Sequence, residues 1–213
     1  MPDKMSGILK EIFHAESEED MLLVQQYFDL LLRWHESDNI IPSSDPDYII
    51  KRELYDCYKF SLELKGKSFI DIGSGGGLPG ILVAILNPTK EVVLLDRKRA
   101  YIDFLNLAKA QLRLTNITII EQDFFSNECN LKTEIAIFKN FSNKRISKMD
   151  FEHKFMHLMK TTKKSKSVSK VYMLTGSPVL ELSKDCLEEY KVRVHKISSP
   201  YFDTHRYIAE VHL

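Results

Sequence analysis

Cysteine is scarce. There are three in 213 residues (Cys57, Cys129 and Cys186), an odd number with no CxxC spacing, which argues against a disulfide framework, a zinc ribbon or a thioredoxin-like redox site. Net charge is lacking as well: 30 basic residues face 30 acidic ones, so no global field draws the chain onto nucleic acid. The longest aliphatic run, Ile81 to Leu86, is far short of the ~20 residues that span a bilayer. At the N-terminus the sequence turns acidic where a signal peptide stays apolar. His153 and His157 stand four apart but lack a third ligand, which describes a wet helix face and no metal site. There is no internal repeat. These absences lead to the expectation of a cytoplasmic monomer that meets neither membrane nor metal.

What is present is ordinary in bulk and uneven in detail. A composition 44% hydrophobic and 28% charged suits one globular domain with an extension, whose core needs no covalent staple. From Met1 to Leu30 seven acids face two lysines, whereas from Lys139 to Lys170 ten Lys/Arg face two acids. A local basic surface docks phosphate backbones even on a neutral protein, because counterion release depends on the charges at the contact. A solvated lysine loop is the competing reading of the same run.

Ser17 followed by Glu18, Glu19 and Asp20 reads as a capped helix start. Val24, Tyr27, Phe28, Leu31 and Trp34 then recur at helical spacing. Pro42, Ser43, Ser44 and Pro46 interrupt the pattern, and a second helix is expected from about Tyr48 to Leu64. Residues 1–66 thus read as a helical cap. From Lys67 the rhythm becomes that of strands alternating with helices: Ser68–Ile72, Glu91–Leu95, Ile117–Ile120, Ile135–Phe138 and Val171–Leu174, with helices between. Two further strand-like runs, Tyr190–Ile197 and Arg206–Leu213, leave no room for a crossover. The fold expected for residues 67–213 is α/β, a mostly parallel sheet closed by a C-terminal antiparallel hairpin. Residues 161–170, TTKKSKSVSK, read as a mobile polar loop.

The informative segment is Phe69-Ile-Asp71-Ile-Gly73-Ser74-Gly75-Gly-Gly77-Leu78-Pro-Gly80. Glycines after a buried strand let the backbone turn and approach a ligand closely, and free N–H groups at the next helix start suit an anionic group. The dinucleotide fingerprint GxGxxG is broken, because Leu78 occupies its third glycine position. An acid two residues before GxGxG is instead the pattern used for S-adenosylmethionine. A carboxylate at Asp71 suits a ligand with an ammonium and a sulfonium. Asp96, followed by Arg97 at the end of the second strand, can accept both ribose hydroxyls. Gln122, Asp123 and Phe124 after the third strand can pair with and pack on an adenine.

These residues resemble the glucose-inhibited division protein B family, small-subunit ribosomal RNA methyltransferases that modify guanine at N7. The likeness rests on DIGSGGGLPGILVAILNP, then VVLLD and Phe104-Leu105, and it returns at His205-Arg206-Tyr207-Ile208. It implies a Rossmann-like class I methyltransferase fold, S-adenosylmethionine as cofactor, and ribosomal RNA or the assembling small subunit as partner. It also implies cofactor contacts at Gly73, Leu78, the Asp123-Phe124 pair and Lys139. Lys139 is further expected to orient the guanine; its rival role is a surface lysine opening the basic run. Several positions depart from the family pattern. Glu53 stands where the family has a histidine, Lys139 where it has an arginine, Ala100-Tyr101 where it has a basic pair, and Thr175 where it has a lysine. The lost basic positions motivate a rival reading, a methyltransferase of another substrate. Thr175 and Lys139 motivate a third, a non-catalytic cofactor- or RNA-binding relative.

Overall fold

A helix begins almost at once. The computed structural model describes the backbone of residues 3–41, 43–127, 129–141 and 143–213, and side chains from residue 6 onward; Pro42, one of the expected helix breakers, lies outside that set. Helix α1 (Asp3–Ile12) is not foreseen in the sequence; it lays Leu9 and Ile12 into the core, and Phe13 follows them just past its end. Helix α2 (Glu18–Asp38) starts as expected: Ser17 Oγ accepts from Asp20 N at 3.1 Å, with three acids at the positive end of the dipole. It stops at Asn39, whose left-handed backbone (φ 48°) lets its N–H bond His35 O.

The second expected helix has an unforeseen register. It is assembled from α3 (Pro46–Tyr48), a π-helical segment (Ile49–Leu54) and α4 (Tyr55–Glu63). The wider π turn brings Arg52, Glu53 and Asp56 all to buried positions within five residues.

Strands β1 (Ser68–Ile72), β2 (Glu91–Asp96), β3 (Ile117–Glu121), β4 (Ile135–Lys139), β5 (Lys170–Thr175), β6 (Arg193–Ile197) and β7 (Arg206–His212) form one sheet in the order β3-β2-β1-β4-β5-β7-β6. The first five run parallel, and β7 lies antiparallel between β5 and β6. The expected parallel sheet with a closing hairpin is therefore the one observed. Tyr190 is not part of β6; it is buried at the end of α8 (Lys184–Glu189).

Strand residues alternate between two cores. Phe69, Val92 and Leu94 join the cap, α5 (Gly80–Leu86) and α6 (Arg99–Gln111) on one face, whereas Ile70, Ile72, Leu95 and Phe138 join α7 (Phe151–Lys163) and α8 on the other. Side chains of the cap, among them Tyr27, Phe28, Leu31 and Phe60, share a continuous core with that first face. The polar run at 161–170 is more built than a loop. Helix α7 extends to Lys163, Thr162 is wholly buried with Oγ1 donating to Leu158 O, and Ser165 Oγ accepts from Leu131 N. Bonding back to Leu158 O satisfies the Thr162 hydroxyl, which burial would otherwise leave without a partner. Among the described residues no helix is long and apolar enough to cross a membrane.

Candidate cofactor site at the strand tips

A cavity of about 420 Å3 opens at the carboxyl tips of β1 to β4, next to the point where the strand order reverses between β1 and β4, the usual place for a ligand in such a sheet. The first loop contributes Gly73, Ser74, Gly75, Gly76 and Leu78, and the tips of β2 and β3 contribute Asp96, Arg97, Gln122, Asp123 and Phe124. Lys139, Asn140 and Phe141 follow β4, while Asn39, Ile40, Ile41 and Glu53 reach in from the cap. The structure thus brings ten of the expected cofactor positions to one cavity; Asp71 and Gly77 do not line it.

The glycine loop is held from below and behind. Gly73 N and Ser74 N both donate to Leu95 O, and Tyr27 Oη donates to Gly76 O at 2.5 Å, tying α2 to the loop. Gly75 has φ +52°, and a Cβ added there meets no atom nearer than 3.9 Å. A side chain at that position would stand in the cavity and strain the backbone. Gly77 is tight for a different reason: a Cβ would lie 2.5 Å from Ile81 Cδ1, so it serves the packing of α5.

Asp71 corrects an expectation. Its side chain is on the cap-side face with Phe69, only 1% exposed, and Oδ2 accepts from Gly80 N at 2.9 Å. The helix start expected to meet an anion is instead met by the protein's own carboxylate, while Ile81 N is taken by Gly77 O. Burial pushes the Asp71 carboxyl up to about 7; the Gly80 bond and the Lys139 charge oppose that shift, and Asp96 adds to it. Asp71 shapes the floor of the loop and does not line the cavity.

At the β2–β3 end the carboxylates are fixed by backbone amides. Asp96 Oδ2 accepts from Gly75 N and Oδ1 from Lys98 N, both at 3.0 Å, and Asp123 Oδ1 accepts from Phe125 N at 2.9 Å. Each oxygen keeps a further lone pair for a ligand hydroxyl or amine. Phe124 packs against Phe138 and Phe141 with centroids 5.5 and 5.7 Å apart. Phe141 also lies over Gly73, where a Cβ would come within 2.5 Å of its ring.

The β4 end is built differently. Lys139 Nζ donates to Glu53 Oε2 in a short ion pair, with side chains 12% and 5% exposed. Burial disfavours the Lys139 charge, yet Cys57, Glu53 and Asp71 outweigh it and hold the ammonium above the ordinary lysine range. Sequence reasoning missed Glu53 as a lining residue, since nothing in IIKREL announces a π turn. Asn140 and Phe141 had a usable signal, because residues just past a parallel strand tip are where such folds place ligands. A second cavity of about 260 Å3 shares Asn140 and Phe141 with the first, and is lined further by Phe151, Lys154, Met173 and Thr175.

A family model described as GidB, rRNA small subunit methyltransferase G, matches residues 20–169. The chain belongs to this family. Among GidB relatives, the ribosomal RNA small subunit methyltransferase G of Aeromonas hydrophila is 33% identical over 121 residues, 57% of this chain and 56% of that one. Its counterpart in Shewanella denitrificans is 29% identical over 143 residues, 67% and 69% of the two chains. This GidB chain thus spans a little over half the length of the first of these curated relatives. Solved structures share its architecture. M. capricolum TrmK in complex with S-adenosyl-homocysteine superposes with TM-score 0.56 at 14% identity, covering 74% of this chain and 67% of that one. A SAM dependent methyltransferase from Aquifex aeolicus gives 0.52 at 15% identity, covering 85% and 97%. The fold is the Rossmann-like one of class I methyltransferases.

Proposed function

We propose that this GidB-family chain is an S-adenosylmethionine-dependent methyltransferase that methylates N7 of a guanine in small-subunit ribosomal RNA, free or in the assembling subunit, as a cytoplasmic monomer. The observation that carries the reading is the strand-tip cavity, with acceptors for a ribose at Asp96, a polar and aromatic edge at Gln122, Asp123 and Phe124, and an open side-chain-free bend at Gly75. The helix start capped by Asp71 supports it too, since a bound pyrophosphate would need those amides.

When bound, the cofactor supplies an electrophilic methyl on a sulfonium sulfur. The chain's residues hold donor and acceptor together and exclude water. Guanine N7 brings its own lone pair and loses no proton, so no general base is required. The second cavity, beyond Phe141, offers aromatic faces and Lys154 to a planar base and its phosphate. Exposed cations between β4 and α7 and along α7 (Lys144, Arg145, Lys148, Lys160, Lys163) suit an RNA backbone.

The test is transfer of a labelled methyl group to small-subunit particles, protein-free RNA and small molecules, followed by nucleoside analysis of the RNA. Label in 7-methylguanosine supports the reading. Label confined to another acceptor, or cofactor binding with no transfer to any of the three, overturns it.

A further inference from the structure

The β4 end of the cavity holds an ion pair where a pocket for an uncharged group would hold none. Across the sheet edge the tips run β3, β2, β1, β4. The adenine and ribose positions proposed above occupy the first two, so the remainder of a nucleoside amino acid must extend past the glycine loop toward β4. There it meets Glu53 and Lys139. Asp71, the carboxylate that the sequence nominates for an ammonium, is sealed beneath the loop. Asp96 and Asp123 are fixed by backbone amides at the other end. Glu53 is the lining carboxylate bonded to a side-chain cation, one whose partner can be exchanged.

We propose that Glu53 and Lys139 together read the amino-acid head of the donor, the Glu53 carboxylate accepting from its ammonium and the Lys139 ammonium donating to its carboxylate. The inference rests on the cofactor reading above and adds Glu53 as a specificity residue. A pair of opposite charges is the complement of a zwitterion: each ligand charge finds its opposite, and no buried charge is left unmatched. A ligand carrying one charge of the two leaves one protein charge without a partner, which is costly at this depth. Both residues depart from the family pattern, and in the fold the two departures touch, although 86 positions separate them in the chain.

Calorimetry on the full chain tests this with three probes: S-adenosylhomocysteine, its desamino analogue, and methylthioadenosine, which lacks the head. In the unaltered protein S-adenosylhomocysteine should bind about 30-fold tighter than the desamino analogue, the range of one charge-assisted hydrogen bond. In Glu53→Gln that ratio should fall to about 3-fold or less, with methylthioadenosine affinity unchanged. The E53Q/K139M double variant, which removes both charges of the pair, should lose the preference for S-adenosylhomocysteine over methylthioadenosine, and it serves if the single variant does not fold. A ratio that persists in Glu53→Gln, or a preference that survives in the double variant, overturns the proposal. If the unaltered protein binds none of the three probes, the cofactor reading itself fails and takes this inference with it.

Discussion

The two ends of the cavity are made by different means. At the β2–β3 end, Asp96 and Asp123 are fixed by amides close by in sequence or across one strand pair, so the acceptors are set by backbone geometry. At the β4 end, Glu53 from the cap and Lys139 from the sheet hold each other through side chains alone. The first arrangement is set by the backbone, and Asp96 uses one oxygen for each of two amides, so an Asn there would keep one of those two acceptors. The second is balanced, and removing either partner exposes the other. A site that needs shape at one end and charge matching at the other is built economically this way.

That contrast can be broken at its most fragile point. Lys139→Met should destabilise the fold by about 3 kcal/mol, since it strands the Glu53 charge, and E53Q/K139M should recover most of the loss in a urea titration; no recovery would mean that the pair is not coupled. The amide-fixed end should respond more mildly and without discrimination. Asp96→Asn is expected to weaken S-adenosylhomocysteine and methylthioadenosine alike, by about 10-fold. Unequal losses measured by calorimetry would place the ribose elsewhere.

A smaller effect concerns Asp71, between the two ends. Its carboxyl is raised from 3.8 to about 7 by burial, so the fold favours the protonated form. The stabilising contribution is complete below about 4 and is lost as pH rises through 7. Asp71→Asn keeps an acceptor for Gly80 N–H and has no charge to bury. Relative to the unaltered protein, its melting temperature should therefore rise progressively between pH 4 and 8. A difference that stays flat across that range would show that Asp71 is not the titrating group.

The legible part of the molecule is the part written locally. Strand periodicity, the glycine bend, Asp96 closing β2 and the Gln122-Asp123-Phe124 run all lie within a few residues of the elements that position them, and the tip of each parallel strand is where a ligand is expected. Less was readable where distance or geometry intervened. The partnership of Glu53 with Lys139 depends on a π turn with no sequence signature. The position of Asp71 in the motif says nothing of which strand face it occupies, and parity with Phe69 sends it inward. The run TTKKSKSVSK reads as a loop throughout, because its polar character hides the burial of Thr162 and Ser165, each of which spends its hydroxyl on a backbone group.

The most direct measurement is a crystal structure of the chain with S-adenosylhomocysteine. The account predicts adenine against Phe124, ribose hydroxyls on Asp96, the bend at Gly75 in contact with the ligand, and the amino-acid head between Glu53 and Lys139. A ligand bound in the opposite sense, or a cavity filled by Phe141 with the ligand elsewhere, would contradict it.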